Sequence, residues 1–145
     1  MEDFKLTETE TTFILLLRNF DFFRYNGYQT KEFSLCGRYT FLVYENEKIK
    51  QKIYFEWAPI NYLKIKLIRI SLLKVRESEI NNLYSCFDFS NRFLEHPPVY
   101  ITMEYMIKYN AIFIQTHLMP VIRGEMWIDE LIKQKNKHKQ DTGKI

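Results

Sequence analysis

The residues able to do chemistry in this chain are few and scattered. There are three histidines, His96, His117 and His138, and two cysteines, Cys36 and Cys86. A thiol nucleophile needs a base within hydrogen-bond reach and a third group to orient that base. Cys86 with His117 would be the pair, yet no glycine-framed nucleophile turn and no orienting Asn or Asp accompanies them at a recognised spacing. His96 stands before two prolines, and His138 lies in a basic C-terminal stretch. The cysteines match no metal or redox spacing, and their apolar neighbours mark them as small buried residues.

Carboxylates do not supply the missing site. Glu104 is the only acid in the apolar residues 100–118. Buried, it would have a raised pKa and could serve as acid or base. Lys108 follows at i+4, so the stronger reading is an ion pair on an exposed helical stripe. Asp129 and Glu130 fall on a helix surface, solvated or facing a partner. No glycine-rich loop follows a strand, no His/Cys cluster has zinc spacing, and Phe87-Asp88-Phe89-Ser90 is not a ligand loop. The expectation is a protein with no catalytic residues, no metal and no cofactor, working by binding.

Alternation along the middle of the chain offers a binding surface instead. On the first of three strands, Arg38, Thr40, Leu42 and Tyr44 share a side; on the second, Lys48, Lys50, Lys52, Tyr54 and Glu56; on the third, Tyr62, Lys64 and Lys66. If helices cover the other face, these residues make one basic, tyrosine-bearing surface. The contacts expected from it are Tyr44, Lys50, Lys52, Tyr54, Tyr62, Lys64 and Lys66. Tyrosines can anchor a protein interface. The alternative is nucleic acid, with aromatics stacking bases and lysines neutralising phosphates, helped by the basic residues 133–139. The glycine-framed aromatic pattern of RNA-recognition strands is missing. A plain solvated face, with lysines opposing edge pairing, is the third reading.

The elements that must position this surface follow from periodicity. Thr7 and Glu10 have capping-box spacing, and Phe13, Leu16, Leu17, Phe20 and Phe23 lie on one helical face. A first helix is predicted over residues 8–24, stopped by Asn26-Gly27. Strands are predicted over 38–44, 48–57 and from 62, with a fourth near 31–35. The polar Glu45-Asn46-Glu47 supplies a turn. The phase of the third strand flips at Leu67-Ile68, which predicts a bulge or the strand end there. Helical spacing returns over residues 77–94, with Glu77 and Glu79 at its start, and His96-Pro97-Pro98 ends it. Residues 100–118 predict a central helix, with a strand at 111–115 as the alternative, closed by Pro120. A last short helix holds Met126, Trp127, Leu131 and Ile132. The fold class is therefore α+β: a three- to four-stranded antiparallel meander with one face covered by N-terminal and C-terminal helices. One domain spans residues 1–132, and residues 133–145 form a basic, flexible tail.

Composition sets the outer limits. The chain has 145 residues, enough for one domain with its own core. Aromatic residues make up 17%, while glycine and proline number only four each, which leaves no room for a long flexible linker. A net charge of +3 is too mild to imply nucleic acid on its own. The acidic start and the lack of a long apolar run predict a cytoplasmic protein that does not enter a membrane.

The stretch Gly37-Arg38-Tyr39-Thr40-Phe41-Leu42-Val43-Tyr44-Glu45-Asn46-Glu47-Lys48-Ile49-Lys50 precedes a basic alternating strand and then a further strand. Placed after one amphipathic helix and before others, it resembles the layout of small bacterial immunity proteins that accompany contact-dependent toxins. The resemblance spans residues 13–70, is one of layout, and carries no functional residue over. It implies stoichiometric occlusion of a toxin or effector, which needs a surface and no catalysis. Many inhibitors of nucleases are acidic, whereas this chain is slightly basic, so the implied target is acidic or neutral where it is bound. Pairing of two copies through a sheet edge is compatible with each of these readings.

Overall fold

A computed structural model describes residues 5–58, 62–80 and 102–142, without the side chains of Tyr62 and of residues beyond 137. Helix α1 spans Glu8–Asn19 and is opened by the expected capping box. The Thr7 hydroxyl accepts from the Glu10 N–H at 3.1 Å, and the Glu10 carboxylate accepts from the Thr7 N–H at 3.1 Å. These two bonds satisfy backbone donors that a helix start leaves without partners. The Thr7 N–H first, and then the Thr7 hydroxyl, hold the Glu10 carboxyl below its ordinary pKa. The predicted single helix to residue 24 is instead two pieces. After α1 the chain tightens into a 3-10 helix, Asp21–Asn26, which brings Phe20 and Phe23 into the core beside Phe55. Gly27 ends it in the left-handed region at φ 90°, and a Cβ there would stand 2.8 Å from the Asn46 side-chain nitrogen.

Five strands follow as a simple antiparallel meander: β1 Gln29–Cys36, β2 Tyr39–Asn46, β3 Gln51–Ala58, β4 Tyr62–Ile70 and β5 Val75–Glu79. Thr40, Leu42 and Tyr44 pair with Trp57, Phe55 and Ile53, which in turn pair with Leu63, Ile65 and Leu67. All nine are at most 5% exposed, so this is the inner face. Leu16, Phe20 and Phe23 from the N-terminal helices, and Ile107, Ala111, Ile114, Leu118, Val121, Trp127 and Leu131 from the C-terminal ones, join it in one core. Each fully buried leucine or phenylalanine contributes roughly 1.5–3 kcal/mol relative to exposure.

Three sequence expectations change here. The β2–β3 turn lies at residues 47–50, not 45–47, because the Asn46 side-chain oxygen accepts from the Lys48 and Ile49 N–H groups at 3.1 and 3.4 Å. That bonding leaves Lys50 at φ 53°, in the turn and off the strand. There is no bulge at Leu67-Ile68: pairing runs unbroken from Ala58↔Tyr62 to Gln51↔Arg69. The phase seemed to flip because the apolar Ile68 points outward and the inner position after Leu67 is filled by Arg69. Glu77 and Glu79 do not start a helix; they lie on β5, paired with Ile68 and Lys66. The remainder of the predicted helix over 77–94 lies largely outside the described residues, although Ile80 is in the core.

The C-terminal part is helical, which removes the strand alternative at 111–115. Helix α2, Met103–Phe113, runs into a π turn, Ile114–Leu118, and then a short α3, Met119–Ile122. Pro120 does not terminate this run. It sits in the first turn of α3, where its missing N–H costs nothing. Helix α2 is not central and buried all round, since Tyr105 and Ile112 are 43% and 60% exposed. Helix α4, Ile128–Thr142, begins with Asp129 and Glu130, favourable at a helix N-terminus, and continues through the basic residues that read as a tail. The observed fold is α+β, as expected, with one more strand than the sequence predicts.

Candidate functional site

The seven residues proposed from the sequence do not share one surface. Tyr44 is 1% exposed on the inner face, its ring 5.4 Å from Phe23 and 5.9 Å from Phe55. Burial pushes its phenol up to about 12. Tyr44 is thus a core residue; the strand's alternation was read in the wrong phase, since Thr40, Leu42 and Tyr44 face the helices. Lys50 stands in the β2–β3 turn. The backbone at position 62 pairs with Ala58, and the Tyr62 side chain lies outside the described residues. Lys52, Tyr54, Lys64 and Lys66 do alternate onto the outer face.

That outer face is not basic. Lys52 is opposite Glu45, Lys64 opposite Glu56, and Lys66 opposite Glu79. The Lys66 ammonium also lies 3.8 Å from the Glu77 carboxylate. Lys31, from β1, adds a pair with Glu45 at 3.5 Å. Lysines and glutamates therefore alternate across the strands, and exposed pairs of this kind contribute little net energy. Between them runs an aromatic strip that the sequence reading missed: Tyr39 stacks on Phe41 with centroids 6.5 Å apart, and Phe41 lies 5.9 Å from Tyr54. Burial and the nearby Glu56 carboxylate push the Tyr39 phenol up.

Among the described residues, the largest apolar exposure is at the tip of the β4–β5 hairpin. Leu72 and Leu73 are 96% and 93% exposed, flanked by Ile70 at 45% and Val75 at 66%. The tip is pinned. Ser71 N–H donates to the Lys74 carbonyl at 2.8 Å, the Ser71 hydroxyl donates to the same oxygen at 3.0 Å, and the Lys74 N–H donates to that hydroxyl at 3.1 Å. Ile70 N–H donates to the Lys50 carbonyl at 2.9 Å, which fastens the tip's base to the β2–β3 turn. There Ile70 lines a shallow cleft of about 300 Å³ with Lys50, Lys52, Glu45 and Glu47. No residue cue marks this tip, because Ser71-Leu72-Leu73-Lys74 makes its turn without glycine, proline or asparagine.

Of the residues weighed for catalysis, Glu104 lies on α2 and His117 in the π turn that follows it. Glu104 is exposed and pairs with Lys108 at 2.9 Å, as its spacing predicts. His117 is half-buried with its ring 5.2 Å from Phe113, and burial, then Lys135, holds its pKa below the usual value. Cys86 and His96, like the His138 side chain, lie outside the described residues. Cys36 is not buried as expected; it is exposed at the end of the edge strand β1. Among the described residues no group of three or more His, Cys, Asp or Glu side chains could hold a metal ion, and no helix is long and apolar enough to cross a membrane.

A second cleft, of about 420 Å³, opens where the 3-10 helix meets the β2–β3 turn, lined by Gln29, Glu45, Lys48 and Arg123 among others. It mixes charges without converging them on a point. Comparison with protein-family models, curated proteins and solved structures finds no match for this chain.

Proposed function

We propose that this chain is a non-catalytic protein-binding module that docks through the β4–β5 hairpin tip and the adjoining outer sheet face. The observation that carries the proposal is the near-complete exposure of Leu72 and Leu73 on a turn held by three hydrogen bonds. Exposing two leucines to water forgoes roughly 1.5–3 kcal/mol each, which a partner with an apolar cleft would recover. Because the tip is already ordered, little conformational entropy is lost on docking. The aromatic strip of Tyr39, Phe41 and Tyr54 offers further contact area, and Tyr54, Lys52, Lys64 and Lys66 remain within the proposed surface.

The finer reading is a stoichiometric inhibitor of the immunity type, acting on a toxin or effector in the cytoplasm of the cell that makes it. Its support is the layout of one capped helix followed by a meander. Nucleic acid is the weaker alternative, since each of the three outer-face lysines has a glutamate across from it. The test is affinity capture from native lysate with nuclease treatment and a high-salt wash. One protein retained by the wild type and lost by the Leu72→Asp, Leu73→Asp variant supports the proposal. Retention by both removes the hairpin tip from it, and loss on nuclease alone favours nucleic acid.

A further inference from the structure

At the sheet edge opposite the hairpin tip, β1 presents eight consecutive exposed residues. Its outer backbone edge is a template for another strand, and the usual protections are thin. There is no proline, and the one bulge lies at Lys31, between Thr30 and Glu32. Beyond the bulge the strand is regular. Phe33 and Leu35 alternate onto the helix side, opposite Leu42 and Thr40, and are 58% and 38% exposed. Phe33 rests on Phe13 of α1 with ring centroids 5.0 Å apart, so the apolar patch continues from strand to helix. Glu32, Ser34 and Cys36 alternate onto the other side.

We propose that this edge pairs, antiparallel, with β1 of a second copy of the chain, about a two-fold axis through Ser34. A two-fold perpendicular to the sheet keeps both helix layers on the same side and joins the two sheets into one of ten strands. Residues directly opposite then share a face. The registers that satisfy this condition are few, and side-chain chemistry separates them. Centred on Glu32, the pairing sets two like charges against each other. Centred on Phe33, it sets Leu35 against the partner's Lys31. Centred on Leu35, it sets Phe33 against the partner's Gly37, in the turn beyond the strand. Centred on Ser34, it sets Phe33 against the partner's Leu35 twice over, with Glu32 opposite the partner's Cys36. Only this register buries both apolar side chains and brings no like charges together. A second copy is thus a better match for the edge than an arbitrary strand, because the edge complements itself.

The interface is one strand wide, at the small end of specific interfaces, so the dimer is in concentration-dependent equilibrium with the monomer. It leaves both hairpin tips free, and it is independent of the docking proposed there. The test is sedimentation equilibrium of the full chain in reducing buffer, from about 1 to about 500 µM. A monomer–dimer equilibrium in that range is expected, and Leu35→Lys, alone or with Phe33→Lys, should weaken it about tenfold or more. In a Cys36→Ser, Cys86→Ser background, Ser34→Cys should form a disulfide-linked dimer on mild oxidation and Glu32→Cys should not. A monomer throughout the range overturns the proposal. So does a dimer that ignores Phe33 and Leu35, or one that cross-links through Glu32→Cys and not through Ser34→Cys.

Discussion

The guanidinium carbon of Arg69 lies 4.9 Å from the centre of the Trp127 ring, within cation–π range. In the same position Arg69 donates from Nε to the Gln51 side-chain oxygen at 2.8 Å and from one Nη to the carbonyls of Val121 and Met126 at 3.1 and 3.3 Å. Gln51 donates in turn to the Val121 carbonyl and to the Tyr28 hydroxyl, and Tyr28 donates to the Ile122 carbonyl at 2.6 Å. In the last turn of α3 the Ile122 carbonyl takes its hydrogen bond from Tyr28, and the Val121 carbonyl, which also accepts from the Gly124 N–H at 3.1 Å, gains side-chain donors from the sheet. A cation at that end also suits the helix dipole. One arginine on β4 thereby fastens the sheet to the α3–α4 junction.

Replacing Arg69 with leucine should cost about 2–4 kcal/mol, because several hydrogen-bond partners lose a charged donor at once. Arg69→Lys should recover only part of it, since an ammonium cannot reproduce the planar fork over Trp127. Urea unfolding checks both, and equal stability of the leucine variant and the wild type would show that the network is energetically idle.

Alkaline pH should unfold the protein through its buried phenols. Burial raises the pKa of both Tyr28 and Tyr44, that of Tyr44 to about 12. Between the ordinary tyrosine value and that raised one, the unfolded chain sheds protons that the native chain keeps, so stability is full below about pH 10 and falls as pH rises. Tyr28 and Tyr44 should therefore ionise only with loss of structure. Phenolate absorbance followed beside circular dichroism checks this, and titration of both in a folded protein would contradict it.

On the acid side His117 has the opposite sign. Its native pKa is lowered by burial and by Lys135, so below about pH 6.5 the unfolded chain binds a proton that the native chain resists. Stability should decline as pH falls from about 7 toward 5, and His117→Gln should flatten that slope. An unchanged slope would place the acid sensitivity elsewhere.

The hairpin tip should be dispensable for folding. Leu72→Ser and Leu73→Ser remove side chains with almost no buried surface, so each should change stability by less than about 0.5 kcal/mol. Thermal melts of both variants check this. A large loss of stability would mean that the leucines serve the fold and not a partner.

Local signals in the residues foretell this arrangement better than those that depend on neighbouring strands. The capping box at Thr7, the glycine stop at Gly27 and the β3 alternation are local, and they appear in the fold as expected. The outer face was misread at β2 because Thr40, Leu42 and Tyr44 alternate with Phe41 and Val43, so both sides of that strand look apolar. The order of polar residues could not decide which side meets the helices. Arg69 on an inner position defeated periodicity for a similar reason: its burial rests on Gln51, Val121, Met126 and Trp127, which the fold alone brings together. The charge reading failed through pairing. Lysines at alternate positions are visible in one strand, but the glutamates that oppose them come from the neighbouring strands.

Docking through the β4–β5 tip puts a partner against position 72. The most direct measurement is site-specific photocross-linking in native lysate, with a photoreactive side chain at position 72 and, as a control, at the exposed position 108. One discrete protein adduct that survives nuclease and high salt is expected from position 72, with none from position 108. No adduct at 72, or the same adducts from both positions, would contradict it.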